Sequence, residues 1–400
     1  RTGHLGRTDY FKALPKKDFS VLHRRITYHH NNTNISVRGE YKYKNGIKNG
    51  KYTIYHPNGK IQEKGTFEND LQIGNKIVFH KNGRTRSDEN FIIIDNPKYI
   101  SAILTQKEEL GGPKPEEIVH IPKKLSVLDG NVKYYHYNGN ISSDLNYVKG
   151  QKHGISKEYH QDENSTLKSA VEFKDGRQHG SYVHYDSKGR LERKGNYYLE
   201  IKVGDTVYNN VYDGEILTYY NGILFRKEHW ENYMKNGVQE TYSQHNGKLN
   251  VRTHFKDNLK SGIEERFDTE GLKSYEAHFE IVEIDGEKVS QQTGTETTWV
   301  NGKVRTKKTY ENGKIEGLSY FYYANGNLER VMNSINGELD GLYKSYYENG
   351  QIKEDYMYQR VYSSRKHIGW NKAYDESGKL TRIFHAQGNE KNSIGLNFKD

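Results

Sequence analysis

The chain has 400 residues, of which 33% are hydrophobic and 12% aromatic, and its formal net charge is +9. The hydrophobic fraction is below the roughly 45–50% of ordinary globular domains. However, 34 tyrosines and only 6 prolines argue against disorder, because disordered chains are poor in aromatic residues and rich in proline. The absence of cysteine excludes disulfides and thiolate metal sites. The composition predicts a thin fold whose core is built from tyrosine rings with their hydroxyls in water.

The pattern of the chain divides it into four segments. Residues 1–20 form a non-repeat N-terminal segment, and residues 21–83 contain the first repeats of a hairpin motif. Residues 84–126 interrupt the motif as an insertion or linker, in which residues 98–110 favour a short helix. The main array of hairpin repeats runs over 127–400. The insertion is interpreted either as a functional excursion or as a hinge between two arrays.

Asn-Gly pairs recur along the whole chain and mark tight turns. Both residues tolerate the positive φ that a type I′ hairpin turn requires. The pairs lie at 45–46, 58–59, 82–83, 138–139, 221–222, 236–237, 246–247, 301–302, 312–313, 325–326, 336–337 and 349–350. This recurrence predicts a succession of β-hairpins.

A second set of glycines, here called the alignment glycines, sets the repeat length at about 24 residues. They are Gly50, Gly74, Gly130, Gly154, Gly180, Gly214, Gly237, Gly262, Gly294, Gly317, Gly341 and Gly369. Five residues after each stands an aromatic residue, here called the first ring. The first rings are Tyr55, Phe79, Tyr135, Tyr159, Tyr185, Tyr219, Tyr242, Phe267, Trp299, Tyr322, Tyr346 and Tyr374.

The second half of each unit follows its own rule. Two residues past the turn glycine stands an aliphatic residue: Ile61, Ile141, Leu191, Leu224, Leu249, Val304, Leu328, Ile352 and Leu380. Six residues later an aromatic residue, the second ring, often follows: Phe67, Tyr147, Tyr197, Trp230, Phe255 and Tyr310. An even separation puts both side chains on one face of a strand. The fold class is therefore all-β, an elongated antiparallel meander of about 12–13 stacked hairpin repeats.

Residues 310–328, which read YENGKIEGLSYFYYANGNL, resemble the variant MORN repeat found in YwqK-type bacterial antitoxins. The resemblance covers roughly residues 40–400 outside the insertions. It implies an extended β-meander that binds proteins or lipids, and it carries over no catalytic residue. Related proteins include antitoxins and envelope or surface proteins of Gram-negative bacteria, so the resemblance does not fix one function.

No catalytic motif accompanies the repeats. The sequence has no phosphate-binding loop, nucleophile elbow or dinucleotide fingerprint. His153 and His179 occupy the same repeat position, and stacked units would bring them together. Because no third ligand is apparent, they are interpreted as polar turn residues. We therefore predict no catalytic residue, no metal site, no cofactor and no enzymatic activity.

Doubled aromatic residues offer candidates for a binding surface. Neighbouring residues in a strand point to opposite faces, so one ring of each pair should be exposed or covered by something else. Exposed aromatic rings are common at protein interfaces. The predicted binding residues are Tyr134, Tyr220, Tyr323 and Tyr347.

The sequence favours a non-enzymatic, protein-binding scaffold of a bacterial envelope or exported complex. One alternative is an antitoxin or immunity protein that neutralises a toxin, and another is a cell-surface protein that binds carbohydrate or anionic lipid. Acidic and basic residues are mixed along the chain, so no nucleic-acid partner is expected. No apolar run is long enough for a transmembrane helix. The periplasm or cell surface, or association with the outer membrane, is favoured over the cytoplasm.

Overall fold

The computed structural model describes residues 7–13, 20–30, 35–107, 122–203, 206–361, 364–387 and 394–397. The chain divides into two compact units, the first ending at Val211 and the second beginning at Tyr212. The predicted linker at 111–115 lies outside the described residues.

The elements of the first unit are fifteen strands and a helix. They are β1 Arg7–Ala13, β2 Ser20–His30, β3 Ile35–Lys44, β4 Ile47–Tyr55, β5 Ile61–Glu68, β6 Leu71–Phe79, β7 Thr85–Asp95, α1 Pro97–Lys107, β8 Lys124–Leu128, β9 Gly130–Tyr135, β10 Ile141–Val148, β11 Gln151–Lys152, β12 Gly154–Tyr159, β13 Leu167–Lys174, β14 Arg177–Tyr185 and β15 Leu191–Val203. Strand β16, Thr206–Tyr220, crosses from the first unit into the second.

The second unit continues with strands alone within its described residues. They are β17 Ile223–Glu231, β18 Met234–Lys235, β19 Gly237–Tyr242, β20 Leu249–Lys256, β21 Leu259–Phe267, β22 Lys273–Ile284, β23 Glu287–Val300, β24 Lys303–Glu311, β25 Lys314–Ile315, β26 Gly317–Tyr322, β27 Leu328–Ile335, β28 Glu338–Tyr346, β29 Ile352–Val361, β30 Ser364–Tyr374, β31 Leu380–Gln387 and β32 Ile394–Asn397.

Both units are antiparallel meanders, which confirms the predicted fold class. In the first unit, β4 pairs with β5, β5 with β6 and β6 with β7. In the second unit, the same succession runs from β26 through β27 and β28 to β29. A strand that pairs with its sequence neighbour needs only a short turn, so the recurring Asn-Gly signals suffice to specify this topology.

The predicted insertion begins with a strand of the sheet. Strand β7 pairs with β6 on one side and with β8 and β9 on the other. Helix α1 follows it, at the place where the sequence favoured a helix. The chain therefore leaves the meander only between Asp95 and Lys124. The division into four segments, and a hinge in particular, stays a prediction.

The alignment glycines fix the register of the hairpins. All twelve have positive φ, between 64° and 111°, a region that a residue with a Cβ enters only at a cost. Ten of them lie opposite an aromatic residue of the return strand, for example Gly50 opposite Phe67 and Gly237 opposite Phe255. All six second rings predicted from the sequence occupy this place. A Cβ added at six of the twelve would meet nothing within 4 Å, and at the other six its nearest neighbours belong to the preceding strand, so the positive φ is what favours glycine here.

At the other end of each hairpin, the first ring meets the predicted aliphatic residue. Tyr55 pairs with Ile61, and Tyr322 pairs with Leu328. The same pairing holds for all nine aliphatic residues that the sequence singled out. A shift of register comes just before each of these pairs, as a β-bulge does at the end of a ladder.

Burial is concentrated on one face of the sheet, which we call the ring face. It carries the residue two places after each alignment glycine, such as Tyr52, which is 4% exposed, and Tyr182, which is 1% exposed. The ring of Tyr52 lies 4.6 Å from that of Phe67, and the ring of Tyr182 lies 4.6 Å from that of Tyr197. Stacked and tilted ring pairs of this kind contribute about 0.5–1.5 kcal/mol each beyond their buried area.

Side chains at both edges of the sheet join each repeat to the next. At the hairpin tips, Asn58 Nδ2 donates to the carbonyl of Lys81 at 2.9 Å. Farther along the chain, Asn349 Nδ2 donates to the carbonyl of Glu376 at 2.9 Å. At the opposite edge, the Asp70 amide donates to the carbonyl of Lys48 at 3.0 Å. These bonds span 22–27 residues, so they hold neighbouring repeats together in addition to the strand ladder.

The close approach at Gly65 predicts a large effect of a small substitution. In Gly65→Ala, the added Cβ would lie 2.7 Å from Gln72 Nε2 and 3.0 Å from the Tyr52 ring. We expect a loss of about 1–3 kcal/mol, measured as a lower thermal midpoint and faster amide exchange in β4 and β5. Thr66→Ala, at the next residue of the same strand, is the control and should change both quantities little. Equal effects of the two substitutions would contradict this account of the ring face.

Candidate interaction surface

Two of the predicted binding rings form bonds within the sheet. Tyr323 Oη donates to the carbonyl of Tyr346 at 2.7 Å, and Tyr347 Oη donates to the carbonyl of Tyr374 at 3.0 Å. Each acceptor is the first ring of the following repeat. The hydroxyls therefore join one repeat to the next, and the rings are half-buried.

Histidines take the same place in the first unit. The residue after the first ring is a histidine in several repeats, and its Nε2 lies within hydrogen-bond distance of the next first-ring carbonyl. The contacts are His56 to Phe79 at 3.1 Å, His80 to Tyr135 at 3.0 Å and His160 to Tyr185 at 3.0 Å. The sequence analysis missed this structural role of the residue after the first ring. The recurrence of His and Tyr at that position is the signal that could have revealed it.

The other two predicted rings differ in exposure. Tyr134 is half-buried, and burial followed by the charge of Glu89 raises the pKa of its hydroxyl. Tyr220 ends a hairpin strand and is 51% exposed. A binding role stays a prediction for all four tyrosines, and the structure does not gather them at one place in either unit.

A cluster of apolar side chains, three of them exposed and two half-buried, lies near the C-terminal end of the second unit, on the face opposite the ring face. We call it the C-terminal patch, and it consists of Leu342, Met357, Trp370, Ile383 and Leu396. Leu342 pairs with Met357 across β28 and β29, and Ile383 pairs with Leu396 across β31 and β32. Trp370 is 63% exposed, and its ring meets the His385 ring edge-on at 4.9 Å.

Strand pairing connects the members of the C-terminal patch. Asp355 lies opposite Lys372, and Lys372 lies opposite Ile383. Met357 lies two residues after Asp355 along β29. Its amide donates to Oδ1 of Asn371, the residue that follows Trp370, at 3.0 Å. Several exposed apolar side chains on one sheet face, centred on a tryptophan, are typical of an interaction site.

The charges around the C-terminal patch are mainly positive. Lys344 forms an ion pair with Asp355 at 3.3 Å. Lys372 has no ion-pair partner among the described residues. The patch therefore combines apolar area with one unbalanced cation, in a chain whose formal net charge is +9. A partner with apolar and acidic side chains complements such a surface.

The sequence analysis overlooked the C-terminal patch because it examined only positions that recur in every repeat. Trp370 follows the alignment glycine Gly369, at a position that varies between polar and apolar residues along the chain. A comparison of this position between repeats would have shown that it holds a tryptophan only at 370, directly after the repeat in which it is Leu342.

Ion pairs link neighbouring strands of the second unit. Arg252 lies between Glu240 and Glu265, at 2.8 Å and 3.2 Å. Lys273 joins the same chain of charges, with its Nζ 2.6 Å from Glu265 Oε1. The hydrogen bond from Lys273 lowers the pKa of Glu265. Charged side chains of opposite sign thus alternate across the strands, which stabilises their pairing.

A buried carboxylate belongs to the same region. The side chain of Glu264 is 3% exposed and accepts hydrogen bonds from Lys260 and Arg266. Burial alone would raise its pKa, but the bonds from these two cations outweigh burial, so the pKa lies below the ordinary value. A buried carboxylate of this kind depends on both cations for its stability.

Acid should therefore destabilise the second unit through Glu264. Its contribution to stability is fully present above the unfolded pKa of about 4.3. It is lost as the pH falls through the lower, folded pKa. We expect the thermal midpoint of the native chain to fall as the pH is lowered below about 4.3, and the fall to be smaller in Glu264→Gln. Glu270→Gln, at an exposed hairpin tip, is the control. A pH profile that Glu264→Gln leaves unchanged would sink this assignment.

The two histidines weighed as metal ligands do not form a cluster of ligands. His153 Nδ1 lies 3.6 Å from Asp175 Oδ1, and His179 packs edge-on against the Tyr198 ring. Within the described ranges, no group of three or more His, Asp or Glu side chains is placed to hold a metal ion. Nor does any described helix have the length and apolar character needed to cross a membrane.

Comparisons with solved structures give only distant similarity. A crystal structure of a TcdB2–TccC3 complex shares 11% identity with a TM-score of 0.13, over 99% of this chain and 24% of that one. A Photorhabdus luminescens Tc holotoxin pore shares 12% identity with a TM-score of 0.12, over 91% and 24%. A porin-like protein from Bacteroides uniformis shares 10% identity with a TM-score of 0.15, over 60% and 92%. The chain spans about a quarter of the length of the first two.

The search of curated proteins finds no match to the sequence. The profile of the MORN repeat variant, however, matches at residues 48–69, 128–149, 315–336 and 339–360. Each matched segment begins two residues before an alignment glycine; three end at the residue after the return strand and the fourth ends one residue before the end of β29, so each corresponds to one hairpin of the meander. The predicted resemblance is confirmed at these four segments: this chain contains variant MORN repeats, whereas the likeness to YwqK-type antitoxins stays a prediction.

Proposed function

We propose that this chain is a non-enzymatic scaffold that binds another protein through the C-terminal patch. The observation that carries the proposal is the exposed Trp370 among Met357, Ile383 and Leu396 on an open sheet face. Tryptophan is among the residues that most often dominate the energy of protein interfaces. The repeats support the proposal because, within the described residues of each unit, neighbouring hairpins pair into one sheet whose open face can contact a partner.

The partner should present apolar side chains flanked by carboxylates. The apolar part would cover Trp370 and Met357, and the carboxylates would face Lys372. Opposite charges at the rim of an interface mainly raise the rate of association. Salt should therefore slow association with the partner more than it speeds dissociation.

Affinity capture with the full chain tests this proposal. The immobilised native chain and the Trp370→Ala variant are incubated with an extract of native cells, and the captured proteins are identified by mass spectrometry. Each protein that only the native chain retains is then purified and titrated. We expect Trp370→Ala to weaken binding at least tenfold, because a central tryptophan contributes about 2 kcal/mol or more.

The control is Tyr137→Ala, which removes an exposed ring at a hairpin tip of the first unit. It should leave binding unchanged, and both variants should keep the thermal midpoint of the native chain. Identical sets of captured proteins for all three chains would count against the proposal. So would Trp370-dependent self-association in analytical ultracentrifugation, since a second copy would then occupy the C-terminal patch.

The two alternatives from the sequence make different predictions. An antitoxin or immunity protein would capture a toxin encoded beside it and restore growth when both are expressed together. A carbohydrate- or lipid-binding surface protein would bind glycans or anionic vesicles without a protein partner. We favour the scaffold, in a bacterial envelope or exported complex, because a patch centred on tryptophan fits a protein surface better than a lipid headgroup.

A further inference from the structure

We infer that a hollow between hairpin tips of the second unit binds the sugar ring of a neutral oligosaccharide. The hollow has a volume of about 570 Å³ and lies among the tips that follow Tyr219, Tyr242 and Phe267. This volume is within the range of roughly 300–1,000 Å³ found for small-ligand sites. The hollow is distinct from the C-terminal patch, so this inference goes beyond the scaffold function.

The hollow exists because neighbouring hairpins differ in length. Four residues separate the first ring from the aliphatic residue in the hairpin of Tyr219 and Leu224. In the next hairpin, six residues separate Tyr242 from Leu249. Phe225 of the shorter hairpin is half-buried, with the Arg226 guanidinium 5.2 Å from its ring centroid, and it lines the hollow together with residues of the longer tip.

Three aromatic rings give the hollow an apolar wall. Phe225, Tyr242 and Phe267 come from three successive hairpins and are all half-buried. The hydroxyl of Tyr242 donates to Glu240 Oε2 at 2.6 Å, which fixes the orientation of its ring. A pyranose presents a face of C–H groups that packs on such rings, whereas its hydroxyls point outward around the edge.

Polar groups with unused hydrogen-bonding capacity surround these rings. Among the described residues, the side chains of Gln244, His245 and Asn250 form no hydrogen bond. Asp268 uses Oδ1 for the amides of Glu270 and Leu272, both at 2.9 Å, and its Oδ2 has no bond among these residues. An amide both donates and accepts, whereas a carboxylate only accepts. This mixture suits hydroxyl groups, which can do either.

Other polar side chains of the hollow hold its shape. Asn246 Nδ2 donates to the carbonyl of Thr269 at 3.2 Å, and Lys248 Nζ donates to the carbonyl of Glu270 at 2.9 Å. These bonds join the two longer tips, so the walls of the hollow are preorganised. The lining carries one lysine and one aspartate, and Lys248 Nζ is already paired with Glu270 Oε2 at 3.5 Å, so the described lining offers no unpaired cation to an anionic ligand.

A direct binding experiment tests the inference. The full chain is titrated with cellotetraose, chitotetraose and maltotetraose by isothermal calorimetry, and contacts are read from saturation-transfer NMR. We expect at least one of them to bind with a Kd below about 1 mM. Phe225→Ala should weaken that binding at least about tenfold, because it removes a stacking ring.

A second variant distinguishes a loss of sugar binding from a loss of folding. Gln244 is exposed and forms no hydrogen bond within the described chain, so Gln244→Ala should leave the thermal midpoint unchanged. It should weaken binding by about threefold to tenfold through the loss of one hydrogen bond to the sugar. Tyr137→Ala is the control and should bind as the native chain does. The inference is overturned if none of the three tetrasaccharides binds, or if neither Phe225→Ala nor Gln244→Ala reduces the affinity.

Discussion

The hairpins depend on the alignment glycines, which the backbone holds at positive φ and ten of which face an aromatic ring on the return strand. Glycine adopts this left-handed conformation without strain, whereas a residue with a Cβ enters it only at a cost. The ring in turn covers the middle of the ring face. Because a one-residue slip would put every ring on the wrong face, this pairing specifies the register of the whole repeat.

A single layer of strands cannot bury side chains as deeply as a two-layer domain, and the protein compensates at its edges. Tip asparagines, turn amides and, in five repeats, the His or Tyr residue after the first ring bond to the next repeat. Individually such bonds contribute about 0.5–1.5 kcal/mol. Their repetition explains how a chain with 33% hydrophobic residues forms an ordered sheet. It also keeps many tyrosines half-buried, with their rings packed and their hydroxyls bonded.

The regions that break the repeat rule are the ones to which function is assigned. The C-terminal patch arises where the residue after the alignment glycine, which varies from repeat to repeat, is Leu342 and then Trp370. The tip hollow arises where one hairpin is shorter than its neighbour. In a repeat protein the constant positions build the sheet, so binding residues are expected at the variable ones.

The sequence by itself determined the strands, the turns and their register. The spacing of glycines, first rings and aliphatic residues is a local pattern. All the residues that define it lie within one repeat of about 24 residues. It therefore predicted that Ile61 and Phe67 lie on one face of a strand, and the structure adds that Ile61 pairs with Tyr55 and Phe67 with Gly50.

Only the tertiary structure showed which side chains of one repeat contact the next repeat and which stay exposed. The bond from Tyr323 to the carbonyl of Tyr346 joins residues 23 apart, and the sequence gives no distance across that gap. For this reason Tyr323 and Tyr347 were predicted for a binding surface without their structural role being seen. The exposure of Trp370 and the hollow beside Phe225 likewise depend on which strands and tips lie alongside each other, because burial is a property of the packed sheet rather than of one repeat.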